Sequence, residues 1–239
     1  MPDWLLISDI DGTLTGDDRA LSKLMTLLET HQDRVGFGVA SGRSLALIKD
    51  ATRDYDLLEP APIIAGVGSE IHGHGGIGEA YRAHIDEAWE RERSEVTLRD
   101  VPGLTLQAAD AQTEVKLSFN TVGNVLPAVK KVVAKAGLEL SLIHSHNKFL
   151  DVLPKQASKG QAVRFVSEYY NISLKWIVVA GDTGNDADML TCGAKAIVVG
   201  NYAPELLPLL QDKAIYVAKA HHAAGVLEGL NYHGVFREK

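Results

Sequence analysis

Two aspartates one residue apart, Asp9 and Asp11, directly follow an apolar run in Ile7-Ser8-Asp9-Ile10-Asp11-Gly12-Thr13-Leu14. If that run is a strand of an α/β sheet, both carboxylates leave its carboxyl end, where such folds bind ligands. Two acids so placed suit divided labour: a metal holds one ionised while the other carries a movable proton. The same letters also suit a plain Asp-Gly turn with Asp9 as a helix cap. A second acid-rich loop, Gly181-Asp182-Thr183-Gly184-Asn185-Asp186, follows another apolar run. Its oxygen ligands suit a hard cation such as Mg²⁺, and its glycines let backbone approach a ligand. Asp186 equally suits a cap on the following helix. The conjunction of the two loops is harder to assign to turns than either alone. Ala40-Ser41-Gly42-Arg43 offers a hydroxyl and free N–H groups as an anion seat, or a simple Ser N-cap. Ser158-Lys159-Gly160 opens a helical stretch with a lysine where helix dipoles favour acids.

Loops of this kind need a sheet behind them. Strands are expected at Trp4–Ser8, Val35–Ala40 and Ile63–Gly66, and again at Trp176–Ala180 and Ala196–Val199. These runs do not alternate, which fits strands buried on both faces of a parallel sheet. Between them, Leu21, Leu24, Met25 and Leu28 share one helical face, with further helices at Leu45–Arg53, Gln161–Tyr170 and Ala187–Thr191. The middle third reads differently: a charged helix Asp86–Glu95, strands Leu104–Ala108 and Val115–Asn120, and a basic helix Val125–Lys135. Strands Leu138–Ile143 and Phe149–Leu153 complete it. This α-β-β-α-β-β order, with hairpin-like joins, suits a small antiparallel sheet. The expected organisation is an α/β core of residues 1–79 and 155–239 with an insertion at 80–154; Gly73–Gly78 reads as a short glycine-rich turn.

Composition narrows the function class. The 239 residues are 46% hydrophobic and 23% charged, an ordinary globular balance. Lys plus Arg number 24 against 31 acids, a formal net charge of −7, which argues against clamping nucleic acid or an anionic membrane. Cys192 is the single cysteine, so an internal disulfide and a cysteine metal cluster are excluded, and it reads as an inert small hydrophobe. No run is apolar enough to span a membrane, and Met1-Pro2-Asp3-Trp4 lacks a signal-peptide pattern, so a cytoplasmic location is expected. His144 and His146 alternate, which fits a transition-metal site, a sugar contact or plain surface; no acid or cysteine completes a ligand set nearby. His221 and His222 precede a helix start as loop residues.

In order, the four loops resemble the motifs of the haloacid dehalogenase-like phosphatases. Asp9-x-Asp11-Gly12-Thr13 resembles the first motif, Ser41 the second, Lys159 the third and Gly181-Asp182 with Asn185-Asp186 the fourth. The insertion between the second and third resembles a type IIB cap. Four further stretches are similar to sucrose-phosphate phosphatases and their mannosylfructose-phosphate relatives. They are Val67-Gly68-Ser69-Glu70-Ile71, Leu150–Pro154 before Ser158-Lys159-Gly160, Gly181–Asp186, and His222-Ala223-Ala224-Gly225-Val226-Leu227-Glu228. The resemblance implies a Rossmann-like core with a cap, and a Mg²⁺-dependent phosphatase acting on sucrose 6-phosphate or another sugar phosphate. Asp9 would be the nucleophile and Asp11 the acid–base, with Ser41 and Lys159 on the phosphoryl oxygens. Asp9, the Asp11 carbonyl and Asp182 would bind Mg²⁺, oriented by Asn185 and Asp186. Gly68, Glu70, Lys116 and Asp151 would meet the sugar, and a sugar-phosphate synthase is the partner protein implied.

Three rivals bear on this reading. A phosphate-binding module without turnover has no need of an acid at Asp11. A phosphosugar mutase predicts isomers in place of free phosphate. A dinucleotide enzyme is excluded, because no G-x-G-x-x-G follows the first strand.

Overall fold

The structure is a computed structural model describing residues 3–85 and 89–237. The chain begins β1 (Trp4–Ser8), α1 (Asp18–Thr30), β2 (Val35–Ala40), α2 (Leu45–Asp54), β3 (Ile63–Ala65), β4 (Glu70–His72) and α3 (Ile77–Ile85). A second group follows: α4 (Arg91–Leu98), β5 (Leu104–Leu106), β6 (Leu117–Thr121), α5 (Leu126–Ala136), β7 (Leu140–Ser145) and β8 (Phe149–Pro154). The chain then returns through α6 (Lys159–Tyr169), β9 (Ile177–Gly181), α7 (Ala187–Leu190), β10 (Lys195–Val198), β11 (Ile215–Val217) and α8 (His222–Tyr232).

The first and third groups share a seven-stranded sheet in the order β11-β10-β9-β1-β2-β3-β4, parallel except for the β3–β4 pair. All five residues of β1 are buried, because helices cover both faces. Leu6, Val39, Val178 and Ile197 lie under α1, α2 and α8, while Leu5, Ile7, Ile64 and Val179 lie under α3, α6 and α7. Helix α1 starts where Asp17 accepts the Ala20 N–H, and its Leu21, Leu24, Met25 and Leu28 are all buried. Each such side chain contributes roughly 1.5–3 kcal/mol relative to exposure. Strand β1 is central, with β2 on one side and β9 on the other. The strand order therefore reverses at β1, and the loops after β1, β2 and β9 leave the same edge beside the crevice that reversal opens.

The second group forms a four-stranded antiparallel sheet, β5-β6-β8-β7. Leu117 and Phe119 of β6 and Leu150 and Val152 of β8 pack with Val129 and Val133 of α5 and Leu98 of α4. The two-residue period turns Ser118 and Asp151, paired across the strands, to the opposite face. The α-β-β-α-β-β order matches expectation, although the charged helix starts at Arg91 and residues 86–88 lie outside the described residues. The expected join at residue 79/80 falls inside α3, whose Ile77, Tyr81 and Ile85 pack against the seven-stranded sheet, so that layer runs on to Ile85. The glycine-rich turn lies between β4 and α3, which starts within its last two residues at Ile77, and none of β4, α3 and β11 was foreseen. Ser41 does not cap a helix: α2 begins four residues later, after Ser44.

Candidate active site

Four loops converge at the carboxyl edge of the seven-stranded sheet. The Asp9 N–H donates to the Ala180 carbonyl at 2.9 Å, extending the β1–β9 ladder by one residue and fixing Asp9 at the edge. Its side chain is 6% exposed and accepts from the Lys159 ammonium at 2.6 Å. Lys159 enters from the first turn of α6, where Ser158 accepts the Gln161 N–H and so caps the helix. That lysine is fully buried and also donates to Asp186 at 2.7 Å, which answers its position against the helix dipole. Asp186 uses its other oxygen to accept the backbone N–H groups of Asp182 and Thr183, each at 3.0 Å, drawing the fourth loop tight. Asp182 in turn accepts the Thr13 hydroxyl at 2.9 Å, which ties the fourth loop to the first. Gly12 has a φ of 81°, and a β-carbon there would run into the Asp182 carboxylate, so only glycine permits this approach.

One carboxylate oxygen from each of Asp9, Asp182 and Asp186 falls within 4.8 Å of the others. Three buried acids against one ammonium leave an excess of negative charge. Burial pushes the Asp9 carboxyl well above its usual range, against the pull of Lys159, and the neighbouring Asp186 and Asp182 add to the rise. Burial and Asp186 push Asp182 up to about 7, with the Thr13 hydrogen bond opposing. Burial alone would lower Lys159, but Asp186 and Asp9 reverse that and raise it. Oxygen donors crowded to this degree fit a hard divalent cation better than protons at neutral pH.

Above this floor lies a cavity of about 320 Å³, lined below by Asp9, Asp11, Arg43 and Asn185 and above by Lys116, Ser118 and Asp151. The Ser118 hydroxyl donates to Asp151 at 2.6 Å, and the Lys116 ammonium stands 3.7 Å from the same oxygen. All three are buried, so their remaining donors and acceptors are directed at the cavity or at each other. Thus the structure brings together Asp9, Asp11 and Asn185 at the floor and Lys116 and Asp151 at the roof, while Lys159, Asp182 and Asp186 sit buried beneath the floor in the cluster around Asp9.

Other expected residues fall elsewhere. Ser41 is buried and its hydroxyl accepts the Arg43 N–H at 3.2 Å; the cavity wall there is Gly42, Arg43 and Ser44. Gly68 is buried against the backbone of Ser158 and Lys159, so it lets the α6 start come close, and it does not line this cavity. Glu70 pairs with His72 at 3.1 Å, which, with Arg82 and Lys116 adding to it, holds its carboxyl below the usual range, and it lines a separate cavity with His72 and Tyr81. Of the ambiguous histidines, His146 lines the cavity, while His144 meets the Thr121 hydroxyl at 3.1 Å. The Cys192 thiol is buried.

Sequence reasoning missed two contributors. Arg43 donates to both Asp11 oxygens, at 2.6 and 2.8 Å, an arrangement its place beside Ser41 did not signal. Ser118 was hidden in an apolar run, although its two-residue spacing from Lys116 would have marked the shared face.

The chain is similar to known proteins along its whole length. The family described as sucrose-6F-phosphate phosphohydrolase matches residues 2–234. A mannosylfructose-phosphate phosphatase of Agrobacterium fabrum is 30% identical over 244 residues, covering 97% of each chain. The structure of a sucrose-phosphatase from Synechocystis sp. PCC6803, in complex with sucrose and phosphate, superposes with a TM-score of 0.94 at 27% identity, covering 98% of this chain and 99% of that one. A haloacid dehalogenase subclass IIB sugar phosphatase shares the fold at 16% identity, with a TM-score of 0.68, over 98% of this chain and all of that one. The chain belongs to the sucrose-6F-phosphate phosphohydrolase family, phosphoric monoester hydrolases built on the capped haloacid dehalogenase fold.

Proposed function

We propose that this chain hydrolyses sucrose 6-phosphate to sucrose and inorganic phosphate, using Mg²⁺ and a phosphoryl group carried transiently on Asp9. The observation that supports it most is the cavity itself. The Asp9 carboxylate, backed from beneath by the buried Lys159, lies at the floor, and a polar, hydrogen-bonding roof faces it. Asp9, the Asp11 main-chain carbonyl and Asp182 would hold Mg²⁺, with Asn185 and Asp186 orienting them. Bound there, the ion would neutralise the excess carboxylate charge and polarise the phosphoryl oxygens.

The chain's own groups account for the rest. An Asp9 oxygen attacks phosphorus as the phosphorus–sugar oxygen bond breaks, and the leaving oxygen takes a proton from Asp11. Asp11 then removes a proton from water, whose oxygen attacks phosphorus and frees Asp9 and inorganic phosphate. Lys159, the Ser41 hydroxyl and the Gly42 N–H would hold the charge on the phosphoryl oxygens. Asp11 rests on Arg43, so a turn of its side chain must carry it to the leaving oxygen. Lys116, Ser118 and Asp151 would read the sugar hydroxyls, because paired donors and acceptors discriminate better than bulk charge. We take residues to Ile85 and from Lys155 onward as the core and the four-stranded sheet with its two helices as the cap. A synthase that makes the sugar phosphate is the partner class this activity implies, and a mannosylfructose phosphate is the second substrate candidate, on the strength of the Agrobacterium relative.

Acid quench of the enzyme during turnover, followed by peptide mapping, tests the route. The expected result is a hydroxylamine-labile phosphoryl group on the peptide bearing Asp9. Turnover with no phosphorylated protein, or with the group on another residue, would remove Asp9 as nucleophile.

A further inference from the structure

The segment His222–Glu228 opens α8, and no step above uses it. Its first residue reaches the turn that bears Asp9 and Asp11. His222 Nδ1 lies 2.7 Å from the Gly12 carbonyl oxygen, and the Asn201 side chain donates an N–H to the same oxygen at 2.8 Å. The Asn201 side-chain oxygen accepts the His222 backbone N–H at 2.8 Å, so both ends of that amide are committed and its orientation is fixed. A carbonyl oxygen only accepts, which requires the proton of the ring to sit on Nδ1.

Three independent features build this contact. Gly16 leaves the slot in which the imidazole lies: a β-carbon there would come within 2.5–2.7 Å of three ring atoms. His222 itself adopts a φ of 51°, a left-handed conformation that disfavours a non-glycine residue and persists only where its surroundings impose it. Glu228 accepts the N–H groups of Lys219 and Ala220 and the Tyr216 hydroxyl, fixing the loop that leads into His222.

The geometry points to His222 and Asn201 as positioning residues that pin the Gly12 carbonyl and, through it, the turn between Asp11 and Thr13. Thr13 donates to Asp182, so the pin reaches two loops of the site. Glycine has little intrinsic preference among backbone conformations, so without the pin this turn, and with it the Thr13–Asp182 contact, would be free to shift. His222 and Asn201 remove that freedom without touching the substrate.

The inference leans on the proposed phosphatase activity for one readout only. His222→Ala should lower kcat for sucrose 6-phosphate about 10–100-fold with KM little changed, and lower Mg²⁺ affinity, read by calorimetry, roughly tenfold. His222→Asn should restore most of both, since Asn tolerates this φ and sets an amide N–H near the Nδ1 position. Nitrogen NMR of the wild-type enzyme should show the His222 proton on Nδ1. A folded His222→Ala enzyme with kcat and Mg²⁺ affinity within twofold of wild type would overturn the inference. So would a wild-type ring protonated on Nε2 alone, a result that needs no variant to fold. Should the wild type release no phosphate at all, the function reading fails while Mg²⁺ affinity and ring protonation still decide this one.

Discussion

Lys159 carries a full charge with no exposed surface, and such a group persists only when paired. Its partners are Asp9 and Asp186, so it supports the first loop and the fourth together. Lys159→Ala should abolish phosphate release and also destabilise the fold by about 3–5 kcal/mol, because it strands buried carboxylates. Denaturant unfolding checks the second effect; unchanged stability would contradict the pairing. Asp9→Asn is the cleaner separation of roles: the amide keeps the shape but cannot attack, so substrate binding should survive while turnover is lost. Lys116→Ala should raise KM for sucrose 6-phosphate roughly tenfold or more, the cost of one charged hydrogen bond, and leave p-nitrophenyl phosphate little affected. Glu70→Ala should do less, since Glu70 pairs with His72 and does not line the cavity. Equal losses on both substrates would assign Lys116 to the chemistry or the fold. The motif residues were legible because their types are chemically specific. Arg43 and Asn201 were not, because an arginine or asparagine in a loop carries no signal until its partner's position is known.

At the scale of elements, α8 shows why some of the fold was hard to read. Its interior holds Gly225 and Gly229, residues that weaken an isolated helix by about 1 kcal/mol each. The structure explains them. A β-carbon at Gly225 would strike the Ala220 carbonyl, and one at Gly229 would come within 2.5 Å of Ile197. The helix lies too close to β10 for larger residues. Gly225→Ala should therefore lower stability by roughly 1–3 kcal/mol, outweighing the gain in helix propensity. A raised melting temperature would contradict that close packing. Strands β1, β2 and β9 were legible as unbroken apolar runs, because helices bury both faces. Strands β4 and β11 have three residues each and gain their pairing from neighbours far along the chain, which local pattern does not record. Helix α3 follows the glycine-rich turn directly, and its Ile77, Tyr81 and Ile85 face was masked by that context.

The whole molecule couples charge, folding and specificity. Without a cation, Asp182 titrates near 7 in the folded chain against an ordinary 3.8, so the folded state holds more protons between those values. Stability of the metal-free protein should therefore fall as pH rises from about 4 to 7, and the Mg²⁺-induced rise in melting temperature should grow over the same window. A metal effect as large at pH 5 as at pH 8 would contradict this linkage. Among the described residues no helix is long and apolar enough to cross a membrane. If, as proposed, the core supplies the phosphoryl chemistry and the cap the sugar recognition, only the intact chain should discriminate between substrates. Phosphate release measured across a panel of sugar phosphates with Mg²⁺ present tests that division most directly. The account predicts a kcat/KM for sucrose 6-phosphate at least about tenfold above that for glucose 6-phosphate, lost with EDTA while the fold remains. Equal rates on the two esters, or full activity in metal-free buffer, would contradict it.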